Sequence, residues 1–237
     1  MTKTLISGAR IIDGSGSPAF QGSVLIEDDR IRAVSRTPLA VADARNVDAS
    51  GLALAPGFID VHAHSDLSIL AEPEAVGKIS QGITSELSGN CGLSAFPIRT
   101  VEVREHLEKL YRTYGVALTW RDFSSYADAV TAARPAINVG FLCGHNTLRA
   151  NVFGYENTSG TSSGWARERD LLAEMLEQGA LGFSTGLLYT PGKFAPPEEL
   201  RIVASALRGF DAPYATHLRS EGDALIESLE EALAIAR

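Results

Sequence analysis

Two histidines one residue apart, His62 and His64, close the short apolar run that begins at Pro56, with Asp60 just before them and Asp66 just after. Phe58, Ile59 and Val61 read as a buried strand, where ionisable groups have little use. Positions two apart along a strand share a side, so both imidazoles could aim at one point, with Asp60 on the same face. Two neutral imidazoles on one face suit a transition metal, above all zinc. The same residues could instead end a strand as histidines hydrogen-bonded into a loop, and an isolated H-x-H does not separate the two readings.

The other chemistry-capable residues fall in a pattern. Five short apolar segments, "GFIDVHAH", "GITSELSGNCG", "AINVGFLCGH", "ALGFSTGL" and "APYATHLRSEG", read as strands, and each carries its polar residues at its C-terminal end. The first ends in His62 and His64, the second in Asn90 and Cys91, the third in His145, the fourth in Ser184 and Thr185, the fifth in His217 and Arg219. Taken alone, Cys91 is a metal thiolate or a small buried apolar residue. His145 and His217 are each ligand or structural residue. Cys143 reads as core, and His106, in a charged helix, as a solvated surface residue. Independent core histidines have no reason to gather at strand C-termini. The four that do so, together with Cys91, point jointly to a metal site.

Helical patterns alternate with these strands. They cover 101–113, 119–133 with Thr119 as the expected N-cap, 163–178 with Leu171, Leu172, Met175 and Leu176 as the apolar face, 197–209 with Pro197 in the first turn, and the end of the chain, with Leu225, Leu229 and Leu233 on one side. Alternating β and α implies a parallel sheet. Neither GxGxxG nor GxxxxGK[ST] occurs, so the nucleotide-binding open sheets are disfavoured against a (β/α)₈ barrel, whose strand C-termini converge on one pocket. Residues 1–55 differ in texture. "TLISGARIIDGSG", "GSVLIEDDRIRAVS" and "NVDASGLALAPG" are β-rich runs, with a hairpin expected at 27–30 and nothing catalytic among them. The expected organisation is a small β unit at 1–55 and a barrel portion at 56–237.

Bulk composition excludes several function classes. The 237 residues are 45% hydrophobic and 21% charged, with a formal net charge of −8, which favours neither nucleic acid nor an anionic membrane as partner. No apolar run approaches the ~18 residues of a membrane span, and "MTKTLISGARIIDG" lacks a signal-peptide core. Two cysteines are too few for a disulfide framework. The expected setting is cytoplasmic.

"LAPGFIDVHAHSD" after an N-terminal β unit resembles the metal-dependent amidohydrolase superfamily. "QGITSELSGNCGLS", "GHNTLR", "LEQGALGFSTGLLYTPG" and "YATHLRSEG" look like its D-aminoacylase (N-acyl-D-amino-acid deacylase) group. The resemblance implies a zinc-bearing (β/α)₈ barrel beside a small β-sandwich. It implies Cys91 and His217 as zinc ligands, with His62 and His64 flanking the metal and able to hold a second, weaker ion. Its substrate would be a small N-acyl-D-amino acid. Ser184, Thr185 and Tyr189 after strand four, with His145 and Arg219 at neighbouring strand ends, are the candidates for the substrate pocket, each also readable as structural. Strand four carries no lysine, where related hydantoinases and dihydroorotases use a carbamylated one to bridge two metals. That counts against the cyclic-amide branch, and Lys193 reads as a loop residue.

The resemblance also sets an expectation of incompleteness. A barrel of this kind needs eight βα units and five are visible. The family's sixth-strand histidine and its late aspartate, the general base, have no counterpart up to Arg237. The expected object is the N-terminal portion of a longer amidohydrolase, inactive by itself. Another amidohydrolase, of dihydroorotase or isoaspartyl-dipeptidase type, and a non-catalytic fragment are the competing readings. Nothing in the sequence sets the oligomeric state.

Overall fold

The computed structural model describes residues 2–236 and divides into two compact units, Met1–Gly57 and Phe58–Arg237. The first is one mixed sheet of β1 (Lys3–Ile11), β2 (Phe20–Glu27), β3 (Arg30–Ser35), β4 (Arg45–Asp48) and β5 (Ala53–Leu54). Strands β3, β2 and β1 are successive antiparallel neighbours, and β4 and β5 both run parallel to β1. The hairpin expected at 27–30 is present, with Glu27 paired to Arg30 and Asp28 at φ 51°. Ala9, Ile11, Val24 and Ala49 form its buried centre. Among the described residues this is a single layer.

The second unit contains β6 (Phe58–Asp60), α1 (Ser68–Ala71), α2 (Val76–Ile79), β7 (Ile83–Ser88), α3 (Val101–Leu110), α4 (Phe123–Ala133), β8 (Asn138–Gly144), α5 (His145–Phe153), α6 (Ser162–Glu177), β9 (Gly182–Gly186), α7 (Pro197–Ala204), β10 (Tyr214–His217) and α8 (Leu225–Ala236). The five strands are parallel and lie in chain order, β6-β7-β8-β9-β10. A doubly wound sheet would reverse its strand order at a switch point. Unbroken sequential order is that of a (β/α) barrel, here an incomplete one. Phe96, Trp120, Tyr126, Phe141, Leu148, Leu172, Met175 and Phe183 fill the main core.

Three local expectations change. The first barrel strand stops at Asp60 rather than running through His64, and Phe58 and Ile59 are 62% and 67% exposed rather than buried. The reason is topological: among the described residues β6 pairs only with β7, so it is an edge. Helix α4 starts at Phe123 and is capped by Asp122, not Thr119. The Asp122 carboxylate accepts from the Ser125 amide while the Ser125 hydroxyl accepts from the Asp122 amide, a reciprocal capping box that Thr119 has no partner to form. His145 begins α5 instead of ending β8. Asp122→Ala is expected to remove about 1 kcal/mol, which in a calorimetric melt is a fall of roughly 2–4 °C; Thr119→Ala should leave the melt unchanged.

Candidate metal centre

The loop after β7 sets the site. Gly89, Cys91 and Gly92 all have left-handed backbone, at φ 81°, 54° and 75°. Glycine is required at 89, where an added Cβ would lie 2.1 Å from the Leu142 carbonyl oxygen. Cys91 holds such a conformation without being glycine, at a cost of roughly 1–2 kcal/mol, so its surroundings must enforce it. They do so through its neighbours. The Asn90 side-chain amide donates to the Leu87 carbonyl at 2.9 Å, the Gly92 amide to Ser184 Oγ at 3.0 Å, and the Asn146 amide to the Gly92 carbonyl at 2.8 Å.

The thiol so placed meets two imidazoles. Cys91 Sγ is 3.3 Å from His62 Nε2 and 3.6 Å from His217 Nδ1. Donor atoms of His62, His64 and Cys91 all lie within 4.8 Å of one another, and the His62 and His64 rings stand edge to face at 5.5 Å. The structure therefore brings together the four residues expected to hold metal, although the histidines follow β6 rather than lie in it. The His62 amide donates to Asp60 Oδ1 at 3.1 Å, turning the chain there. Asp60 itself is spent on Lys78, which also pairs with Glu86 at 3.1 Å.

The chemistry of this donor set fits a soft or borderline cation. Two ligands at 2.0–2.3 Å from one ion in tetrahedral geometry lie about 3.5 Å apart, the separation of the thiol from each neighbouring imidazole. His217 Nε2 is buried without a hydrogen-bond partner. Burial, then repulsion from His62 and His217, pushes the His64 imidazole below its ordinary value, toward the neutral form a metal needs. Burial, then the negative charge of Glu221, pushes the Cys91 thiol up. The thiolate is thus the form that a cation must stabilise.

Of the five residues expected around the substrate, Tyr189 alone joins this group, its hydroxyl 3.5 Å from His217 Nδ1. Ser184 and Thr185 are fully buried. The first holds the Cys91 loop, and the second bonds the Tyr214 and Thr216 hydroxyls at 2.8 and 2.7 Å. Arg219 forks onto Glu231 and the carbonyls of Lys193 and Ala195. His145 is buried against Glu199 at 3.0 Å and Glu168 at 3.5 Å, because it opens a helix and turns into the helical layer. Glu221, 3.6 Å from His217 Nε2, was not singled out from sequence; only its i+4 spacing from His217 could have flagged it.

Residues 45–236 match the model of the amidohydrolase family. The N-acyl-D-aspartate deacylase of Alcaligenes xylosoxydans xylosoxydans is 42% identical over 98% of this chain and 46% of the relative. The N-acyl-D-glutamate deacylase of Bordetella bronchiseptica, solved with zinc and a phosphonate mimic of the tetrahedral intermediate, superposes at TM-score 0.87 with 37% identity, covering 100% of this chain and 49% of that one. A D-aminoacylase described by its binuclear metal centre, with one-metal activation and second-metal attenuation, superposes at TM-score 0.90 with 35% identity, covering 99% and 49%. The chain spans about half the length of the curated relatives it matches.

Proposed function

The chain belongs to the amidohydrolase family, and from that premise we propose that the protein of which it supplies these residues is a zinc-dependent hydrolase of N-acyl-D-amino acids. The observation that carries this reading is the left-handed Cys91, whose thiol stands 3.3 and 3.6 Å from the imidazoles of His62 and His217. A mixed thiolate and imidazole set selects zinc over the hard oxygen-seeking cations. Cys91 and His217 are the proposed primary ligands, and His62 and His64 the residues that share the ion or hold a weaker second one.

Zinc in such a place supplies Lewis acidity toward an amide carbonyl and lowers the pKa of water to ~7. The chain's own part is to hold that ion and to present the Tyr189 hydroxyl beside His217. Proton transfer to the departing amine typically contributes ~10²–10⁴-fold, and we assign it to a carboxylate outside this chain. The N-terminal sheet is proposed as one layer of a small β-sandwich. Both cysteines are free, as suits a reducing cytoplasm, and among the described residues no helix is long and apolar enough to cross a membrane. Strand β9, Gly182–Gly186, offers no lysine for a carbamate bridge, which sets the reading apart from cyclic-amide hydrolases.

The test is to express residues 1–237, load zinc, and assay release of D-amino acid from N-acetyl-D-methionine beside a full-length deacylase. The expected result is weak zinc binding and no turnover. Turnover within about tenfold of the full-length enzyme, lost on Cys91→Ala, would show that these residues already contain the proton-transfer group.

A further inference from the structure

Apart from the thiol and imidazole group, the described residues hold a cluster of fully buried ionisable side chains drawn from three helices. His145 and Arg149 on α5, Glu168 on α6 and Glu199 on α7 are all fully buried. Arg149 Nε donates to Glu199 Oε1 at 2.8 Å, and His145 Nε2 stands 3.0 Å from the same oxygen and 3.5 Å from Glu168 Oε2. Arg149 also donates to the Thr158 carbonyl.

His145, Glu168 and Glu199 offer donor atoms within 4.8 Å of one another, which on spacing alone could hold a cation. Charge argues against it. The Arg149 guanidinium already occupies Glu199, and a dication added to a dry space holding that cation and two carboxylates would leave net positive charge there. The Glu199 carboxylate is shared instead between the Arg149 guanidinium and the His145 imidazole. The carboxylates oppose the burial penalty on His145 and raise its pKa from the ordinary value. The cluster is a buried ionic knot tying three helices together.

What the knot holds is the first turn of α5. The amides of Asn146 and Thr147, the next two residues after His145, donate to the Gly92 carbonyl at 2.8 and 3.3 Å. Gly92 leaves no slack: a Cβ there would lie 2.7 Å from Asn146 Oδ1 and 2.7 Å from the Gly186 amide nitrogen. On the other side, a Cβ on Gly186 would lie 1.9 Å from the Cys91 carbonyl oxygen. Cys91 and Gly92 are thus clamped between the start of α5 and the end of β9.

We propose that the buried cluster of His145, Arg149, Glu168 and Glu199 is a positioning device for the Cys91 thiolate, acting through the first amides of α5 on the Gly92 carbonyl. It rests on Cys91 being a zinc ligand, as proposed above. None of the four touches the metal site. Their role is to fix the helix end that keeps Cys91 in its left-handed conformation, and with it the direction of the thiol.

The experiment compares Glu199→Gln, Cys91→Ala and Val130→Ala in the 237-residue chain. Val130 is a buried α4 residue outside the cluster, so its truncation lowers the melting temperature by a packing defect alone. Zinc affinity is read by chelator competition, and thiolate placement by the sulfur-to-metal charge-transfer band of the cobalt(II) form. Glu199→Gln is expected to stay folded, to lose zinc affinity by about 10-fold, the lower end of the loss on removing a group bonded directly to a ligand, and to weaken the cobalt band. Val130→Ala should move neither. A folded Glu199→Gln with zinc affinity within about threefold of the unaltered chain and an unchanged band overturns the proposal. If Cys91→Ala also leaves affinity unchanged, the ligand assignment itself fails. Should Glu199→Gln not fold, Glu168→Gln leaves the Arg149 contact in place and carries the same expectation and the same overturning result.

Discussion

Cys91→Ala is expected to abolish the weak zinc binding of this chain, with an affinity loss above the 10–100-fold that follows removal of an outer partner. The thiol is the element common to both short contacts, 3.3 Å to His62 and 3.6 Å to His217, and without it the three imidazoles have no anionic ligand between them. The loss should come with little change in fold. Alanine keeps the Cβ, and the loop is held by its backbone amides and by Ser184 and Asn146 rather than by sulfur. Cys91→Gly should lose the metal equally but melt higher than Cys91→Ala, because glycine relieves a left-handed conformation that costs alanine roughly 1–2 kcal/mol. Chelator competition and calorimetry on the two variants decide it. Retained zinc affinity in either would place the metal on imidazoles alone, and a lower melt for Cys91→Gly would deny that the loop is strained.

The sequence made this grouping legible because its four residues stand at the ends of apolar runs, where a core residue gains nothing from being polar. Those cues do not depend on tertiary detail. The alternation of strands and helices, the hairpin at 27–30, and the apolar face of α6 were readable for the same reason, since period and turn chemistry are local. What was not legible was direction. His145, Ser184 and Thr185 sit at strand ends as His217 does, yet the structure buries them within the fold. A one-residue difference in where β8 stops sends His145 into the helical layer, and sequence places element ends only to within a few residues. The exposure of Phe58, Ile59 and Val61 was equally hidden. An apolar strand has the same composition at a sheet's edge as at its centre, and only its pairing tells them apart.

The ion cluster around Glu199 was out of reach from sequence because its four members come from three helices, with no spacing that announces it. Its energetic signature should be large. Arg149→Met leaves Glu199 and Glu168 facing His145 alone, and removing one partner of a buried ion pair typically costs 3–5 kcal/mol. For a chain of this length each kcal/mol lowers the melt by roughly 2–4 °C, so a fall of roughly 6–20 °C is expected. Arg169→Met is the contrast. Its guanidinium also meets a carboxylate, Asp170 at 2.7 Å, but with 44% of the arginine and 67% of the aspartate side chain exposed, so the change should stay within about 0.5 kcal/mol. The pH dependence follows from His145. Burial alone would lower its pKa, but hydrogen bonds and charge from Glu168 on α6 and Glu199 on α7 outweigh burial and raise it, while Arg149 on its own helix is the cation already present. A raised value means the folded state holds a proton that the unfolded state releases. That stabilisation is complete below the unfolded pKa of ~6.5 and is lost as pH rises through the higher folded one. Melts from pH 6 to 9 should therefore decline more steeply for the unaltered chain than for His145→Gln, which has no proton to lose there. Parallel declines would mean that His145 gains no proton on folding, and a melt of Arg149→Met within 2 °C of the unaltered chain, less than about 1 kcal/mol, would mean that Arg149 is not paired in the interior at all.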